Sequence, residues 1–336
     1  MLLFSSFPVS TIPSHLPRFG WCYNYLLRAP QSFASNPLPI LRKKPKAFLC
    51  SASISAEHGN TEPDFTMLTA INSLYNDIVI VDTAESRMLL LDSTHNIHSI
   101  FMKGQTWTGC YWDEFAALPA IIPKGPIAIF GLTWVTEVEI SEFQAGGTAA
   151  HLMLTLWPSL QLHGWEIDEI LIDKAREHLG LSDLEKHTEG GGILHVHIGD
   201  ALSTSSSVSG GYAGIVIDLF SGGEVLPQLQ EVQTWLELND KLMPNGRLMV
   251  NCGRRNDTIV NGSIGNENDN IWEKNSTLDV LCKAFPGQVN WKKMAKSEGD
   301  NYLALTGPLP DFTMWAAALP HRFSSTIKQW TSCFPS

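Results

Sequence analysis

The sequence predicts an α/β protein, a doubly wound, mostly parallel sheet preceded by a small antiparallel β domain. Three observations carry that expectation. Residues 127–168 read as strand, glycine turn, helix and strand; apolar runs and helical stretches then alternate as far as Cys252; and from Asp77 short β-branched or leucine-rich runs are separated by polar turns. With 336 residues, 44% of them hydrophobic and 17% charged, the chain can bury a large core beside a small one.

Taken in order, residues 1–56 contain six Lys or Arg, nine Ser and no acid, and the first carboxylate is Glu57. A basic, serine-rich, acid-free leader has the composition of a transit peptide, for a plastid or alternatively a mitochondrion, and is expected to be disordered. Without it, 17 basic residues face 34 acidic ones, a formal charge of −17 against −11 for the whole chain. That balance argues against nucleic acid as a partner, and no apolar run has the length of a membrane span.

Residues 70–110, with DIVIVD and MLLLDS, form the small β domain. YWDEFAALPAIIP has helical spacing, ends at Pro119 and Pro123, and opens a large domain over 111–310. IAIF is a buried strand, AAHLMLTLW a helix and GWEID the next strand. Ile170, Leu171, Ala175, His178 and Leu179 then share one side of an amphipathic helix that Gly180 stops. ILHVHIGD and AGIVID are strands, with the flexible STSSSVSGG between them. VLPQLQEVQTWLELNDKLM reads as one helix leading through PNG to the strand RLMVNC. Residues 254–270 form a polar, Asn-rich loop, VNWKKMA and NYLALT an antiparallel hairpin, and 311–336 a C-terminal tail. The six cysteines are scattered without C-x-x-C spacing, which reads as a reduced compartment. His195 and His197 share a strand face, and no third metal ligand lies nearby in the sequence.

In a sheet of this kind ligands bind beyond the carboxyl ends of the strands. Gly146 and Gly147 let the backbone approach a ligand, and the amides that open the following helix favour negative charge. Glu166 follows them by about 20 residues, where an acid at the second strand's end holds ribose hydroxyls. With Asp168 beside it, this pattern points to an adenosine-containing cofactor. Asp200 and Asp218 end the next two strands on the same edge.

The order YNDIVIVD, MLLLDS, YWDEFAALPAI, AGGTAAH, WEIDEILIDKAREHLGL, HIGDA, VIDLFSGG, LMPNGRLMVN resembles the spermidine synthase family, polyamine aminopropyltransferases within the class I S-adenosylmethionine-dependent methyltransferase superfamily. The match runs from Asn76 to Thr306 and looks nearest to a plant organellar branch. The resemblance implies a Rossmann-like methyltransferase sheet, an N-terminal oligomerisation domain and possible homodimers. It also implies S-adenosylmethionine or its decarboxylated form as cofactor, ribose binding at Glu166, adenine near Asp200, and Asp218 at the catalytic position.

Three departures matter. Where the family carries GGGDGG, AGGTAA puts Thr148 in place of the acid that holds the amine of the decarboxylated cofactor, so the sequence leans toward ordinary S-adenosylmethionine. Where the family has DSSDP, DLFSGG keeps Asp218 but has Ser221 at the second acid's position. The Y-H-E-M pattern of the amine pocket is aligned with Trp112, Asp113, Glu114 and Phe115, which leaves its tyrosine and histidine missing. In addition, Thr133 to Gln144 intervenes between the first strand and the glycines, and is expected to separate them. The expected activity is alkyl transfer, aminopropyl or methyl, from a sulfonium to a small-molecule amine or other nucleophile. A methyltransferase without polyamine activity, a non-catalytic scaffold motivated by the insertion, and more distantly a dehydrogenase are the alternatives.

Overall fold

The computed structural model describes residues 65–84, 86–91, 99–104, 106–132, 147–221, 224–254 and 275–333. The leader over 1–56, Gly146, the 133–144 insertion and the Asn-rich loop lie outside the described residues.

Four strands, β1 (Phe65–Asn72), β2 (Asp77–Thr83), β3 (Ser86–Leu90) and β4 (Ser99–Met102), form an antiparallel meander. Ile78 and Ile80 alternate inward on β2 and are fully buried. β1 precedes the start expected at Asp77; most of its residues are exposed, so no apolar alternation marks it in the sequence.

The large sheet has the order β14-β12-β13-β11-β8-β5-β6-β7, built from β5 (Ile127–Phe130), β6 (Gln161–Glu166), β7 (Ile193–Ile198), β8 (Tyr212–Ile217), β11 (Leu242–Asn251), β12 (Val289–Lys293), β13 (Tyr302–Thr306) and β14 (Thr331–Ser332). Strands β5, β6, β7, β8 and β11 run parallel, and β12, β13 and β14 pair antiparallel. The chain winds outward through β5, β6 and β7, then returns to lay β8 beside β5. That reversal opens the crevice where such sheets bind ligands. Strands buried on both faces read as continuous apolar runs, which is why IAIF and AGIVI were legible.

The helices are α1 (Tyr111–Phe115), α2 (Thr148–Leu156), α3 (Glu169–His178), α4 (Leu181–Leu184), α5 (Val232–Asn239), α6 (Ser276–Ala284) and α7 (Phe312–Ala317). On one sheet face Ile129, Leu162, Val216 and Leu303 pack with Leu152, Leu171 and Trp315. On the other, Phe130, Ile217 and Val250 pack with Trp235, Leu278 and Leu281.

Several elements differ from expectation. The stripe on α3 is Leu171, Ile172, Ala175 and Leu179, with Ile170 turned to solvent, because Asp168 caps the helix and sets its rotation. The long helix expected over VLPQLQEVQTWLELNDKLM is broken: after the two-residue strands β9 (Phe220–Ser221) and β10 (Glu224–Val225) come a 3-10 turn at Pro227–Gln230 and α5. Glu231 between the last two is extended. The presumed tail is part of the body: Trp315, Phe323, Ile327 and Trp330 are buried, and β14 extends the sheet. Its aromatic residues are spaced by turns rather than at a helical or strand period, so no pattern announced them.

Candidate active site

The carboxyl edge of the sheet assembles the candidate site. β5 ends at Gly131, whose φ of 85° and close approach to Asp218 exclude any side chain; a Cβ there would lie 2.1 Å from the Asp218 carbonyl oxygen. Glycine at this position lets β5 and β8 end side by side. Gly147, at φ 84°, starts α2, and its amide donates to the Leu132 carbonyl at 3.2 Å. That bond corrects the expectation that the insertion separates the strand from the glycine turn. The described residues on either side of 133–146 thus meet in one hydrogen bond. Thr148, buried as the first residue of α2, has its hydroxyl 3.3 Å from that of Ser99 on β4.

Glu166 is buried at the end of β6, and its Oε1 accepts from the amides of Ile167 at 2.9 Å and Asp168 at 3.1 Å. The following peptide amides thus orient the carboxylate. Asp168 was grouped with the cofactor ligands, but both of its oxygens are engaged within the protein. Oδ1 caps α3 through the Leu171 amide, while Oδ2 takes Ser73 Oγ and Asn76 Nδ2 from the β1–β2 turn. It anchors the small sheet to the carboxyl edge of the large one. Asp200 is exposed and turns its loop by accepting from the Leu202 amide at 2.8 Å; Lys241 holds that loop from below through Ser203 O and Ser206 Oγ.

Asp218 lies just past β8 and is 3% exposed. Tyr111 Oη donates to its Oδ2 at 3.1 Å and Asn251 Nδ2 to its Oδ1 at 2.9 Å. Asn251 cannot be flipped, because its own Oδ1 accepts from Asn301 Nδ2 and from the Gly253 amide. Burial pushes the Asp218 carboxyl from an ordinary 3.8 up to about 7, against the opposing effect of the Asn251, Tyr111 and Trp112 donors. Burial and the neighbouring Asp218 hold the Tyr111 phenol well above its usual value, so it stays a donor. The sequence reading did not single out Tyr111, because its partner Asp218 stands 107 residues away.

Around α1 the other acids have structural partners. Asp113 accepts from the Thr108 amide and hydroxyl and from the Gly109 amide, and pairs with Arg322, whose guanidinium lies 4.5 Å over the Trp107 ring. Burial nevertheless raises the Asp113 carboxyl. Glu114 meets Lys292 of β12. Ser221, at the position of the second family acid, is exposed on β9.

His195 and His197 gain a third imidazole that sequence spacing did not show, since β6 places His163 beside them. The His163 and His197 rings lie within 4° of parallel, with Nδ1 and Nε2 3.0 Å apart and centroids 5.2 Å apart, the geometry of an in-plane N–H···N hydrogen bond. Burial and the neighbouring imidazoles lower His163 to about 4, so the pair is neutral near pH 7. Among the described residues no group of three His, Cys, Asp or Glu is placed to hold a metal ion.

No family model matches the chain. It is 22% identical over 229 residues to a probable polyamine aminopropyl transferase of Bifidobacterium longum (strain NCC 2705), covering 68% of this chain and 46% of that protein. The chain thus spans about half the length of the curated relative it matches. Among solved structures it superposes on a probable spermidine synthase from Corynebacterium glutamicum ATCC 13032 with a TM-score of 0.51 and 16% identity, over 71% of this chain and 79% of that one. Spermidine synthase from Thermotoga maritima follows at a TM-score of 0.49 and 11% identity, over 78% and 87% of the two chains. The large, mostly parallel sheet with a small antiparallel sheet before it is therefore the fold of that probable spermidine synthase.

Proposed function

We propose that the protein transfers an alkyl group, aminopropyl or methyl, from a sulfonium cofactor of the S-adenosylmethionine type to an amine. One observation carries this reading: Asp218 is a buried carboxylate at the sheet's carboxyl edge, oriented by Tyr111 and Asn251 and raised to about 7. An alkylammonium must lose a proton before its nitrogen attacks the sulfonium carbon, and a carboxylate with elevated basicity accepts that proton better than an ordinary one. The new C–N bond forms as the C–S bond breaks, and the electron pair leaves with sulfur as a neutral thioether. Alignment and exclusion of water supply the rest. Glu166 would hold the ribose, Gly147 and the start of α2 the polar end of the cofactor, and the Asp200 loop the adenine.

Thr148 in place of an acid favours a second reading, methyl transfer from ordinary S-adenosylmethionine, whose carboxylate a helix N-terminus accommodates. Calorimetry with both cofactors separates the two. Preference for the decarboxylated form supports aminopropyl transfer and preference for S-adenosylmethionine supports methyl transfer. Binding of neither overturns both in favour of a scaffold.

The protein is further proposed to act in a plastid, as a plant organellar relative of spermidine synthases, after its leader is removed near Ser51 to Glu57. The acid-free composition of 1–56 supports this. N-terminal sequencing of plastid protein is the check, and an intact Met1 in the mature pool would refute it.

A further inference from the structure

Strand register lines up three polar side chains at one end of β8, β11 and β13. Ile217 pairs with Val250, so the next residues of these parallel strands, Asp218 and Asn251, stand side by side. Asn251 in turn pairs with Leu303, and Asn301 lies two residues before Leu303. Residues opposite one another, or two apart along a strand, share a sheet face. Asp218, Asn251 and Asn301 therefore belong to the face on which Val216, Met249 and Leu303 pack.

The hairpin between β12 and β13 fixes the placement of Asn301. Its chain turns through Lys296–Glu298, then through Gly299 at φ 115° and Asp300 at φ 56°. A left-handed backbone is uncommon for a residue with a side chain. Asp300 is held in it by its amide, which donates to the Ala295 carbonyl at 3.1 Å, and by an ion pair with Lys293 at 3.1 Å. The Met294 amide then donates to the Asn301 carbonyl at 2.8 Å and sets the register of the returning strand. A slip of one residue would turn Asn301 to the opposite face.

Asn301 is fully buried, where a carboxamide is costly unless its donors are used. Its Nδ2 donates to Asn251 Oδ1 at 2.9 Å. That oxygen also accepts from the Gly253 amide at 3.0 Å, while Asn251 Nδ2 donates to Asp218 Oδ1 at 2.9 Å. Two donors on Oδ1 hold the Asn251 carboxamide one way round and polarise it, which strengthens its N–H as a donor to a charged carboxylate. Reversed, Asn251 would offer Asp218 an oxygen, which a protonated carboxyl accommodates and a charged one does not. The other groups facing Asp218 are Tyr111 and Trp112 of α1, and Tyr111 stays a donor. The acids of α1, Asp113 and Glu114, are paired with Arg322 and Lys292.

We propose that Asn301 is a positioning residue for Asp218, acting through the Asn251 carboxamide and not on the substrate. It is the far member of a relay that favours the charged form of Asp218, the form able to take a proton from the acceptor amine. The use of this relay in catalysis rests on the alkyl-transfer reading above.

The test follows the Asp218 carboxyl by infrared difference spectroscopy of the full chain, with Asp218→Asn identifying its band. Wild type, Asn301→Leu, Asn251→Leu and the double variant are titrated. Losing a donor to the charged form raises a carboxyl's pKa. The Asp218 titration, about 7 in the wild type, should therefore move to higher pH by about half a pH unit or more in Asn301→Leu, and further in Asn251→Leu. Because Asn301 acts through Asn251, the double variant should titrate as Asn251→Leu does. If Asn301→Leu does not fold, Asn301→Ala carries the same expectation. A titration left in place while only stability falls overturns the proposal, and so does a shift that adds in full to that of Asn251→Leu. Titrations that behave as expected in a protein that transfers no alkyl group from either cofactor would leave the relay standing and remove the alkyl-transfer reading.

Discussion

The two halves of the carboxyl edge are built on different principles. On the side proposed for the cofactor, over β5, β6 and β7, Glu166 is held by the next two amides and Asp200 by the amide two residues on, with Asp168 alone reaching back to Ser73 and Asn76. On the side proposed for the acceptor, over β8, β11, β13 and β12, the partners come from far along the chain. Tyr111 and Asp218 are 107 residues apart, Asn251 and Asn301 50, and Asp113 and Arg322 209. A half made of local turns keeps its geometry across sequence change. A half made of distant contacts can change acceptor while the cofactor side stays as it is.

Asp218→Asn tests that division most strongly, because it should disable the acceptor half and spare the other. Turnover is expected to fall by roughly 100-fold or more, the scale of losing a general base, with cofactor affinity retained. Loss of cofactor binding in a destabilised protein would show Asp218 to be a loop anchor serving both halves.

The same variant has a signature in stability. An unfolded aspartate ionises near 4, whereas folded Asp218 keeps its proton up to about 7. Between these values the native state binds more protons than the unfolded one, so Asp218 makes stability decline as pH rises through that window and holds it down above. Denaturation of Asp218→Asn should therefore show a gain at about pH 8, up to roughly 4 kcal/mol, that disappears below about pH 4. A pH-independent gain would mean that packing, not the buried charge, is responsible.

In activity the corresponding limb has the opposite direction. kcat/KM should rise as pH increases through about 7, where Asp218 loses its proton and becomes able to accept another. A wild-type limb near pH 4 would place the essential carboxylate elsewhere.

Thr148→Asp sharpens the comparison from the cofactor side. One added carboxylate at the start of α2 should turn preference from S-adenosylmethionine toward its decarboxylated form by on the order of 1 kcal/mol, without altering amine selectivity. Wild-type protein that already prefers the decarboxylated form would remove the argument from charge. The smallest effect is expected from deleting Thr133 to Gln144. Because Gly147 already bonds to Leu132, S-adenosylhomocysteine affinity should stay within about twofold, and a large loss would make the segment part of the site.

The sequence by itself determined the parallel core, the glycine turn, Glu166 at the end of its strand and Asp218 at the end of another. Buried strands read as apolar runs, and strand ends fall at fixed offsets from them. The resemblance to spermidine synthases also implied that Thr148 and Ser221 stand where that family has acids. Only the tertiary structure decided that Asp168 joins the small sheet to the large one, that Gly147 bonds back to Leu132, that the C-terminal residues wall α1, and that Tyr111, Asn251 and Asn301 set the Asp218 carboxylate. It alone brought Lys292 to Glu114. A residue's partner across a sheet depends on strand order and register, and the local periodicity from which strands are read carries neither.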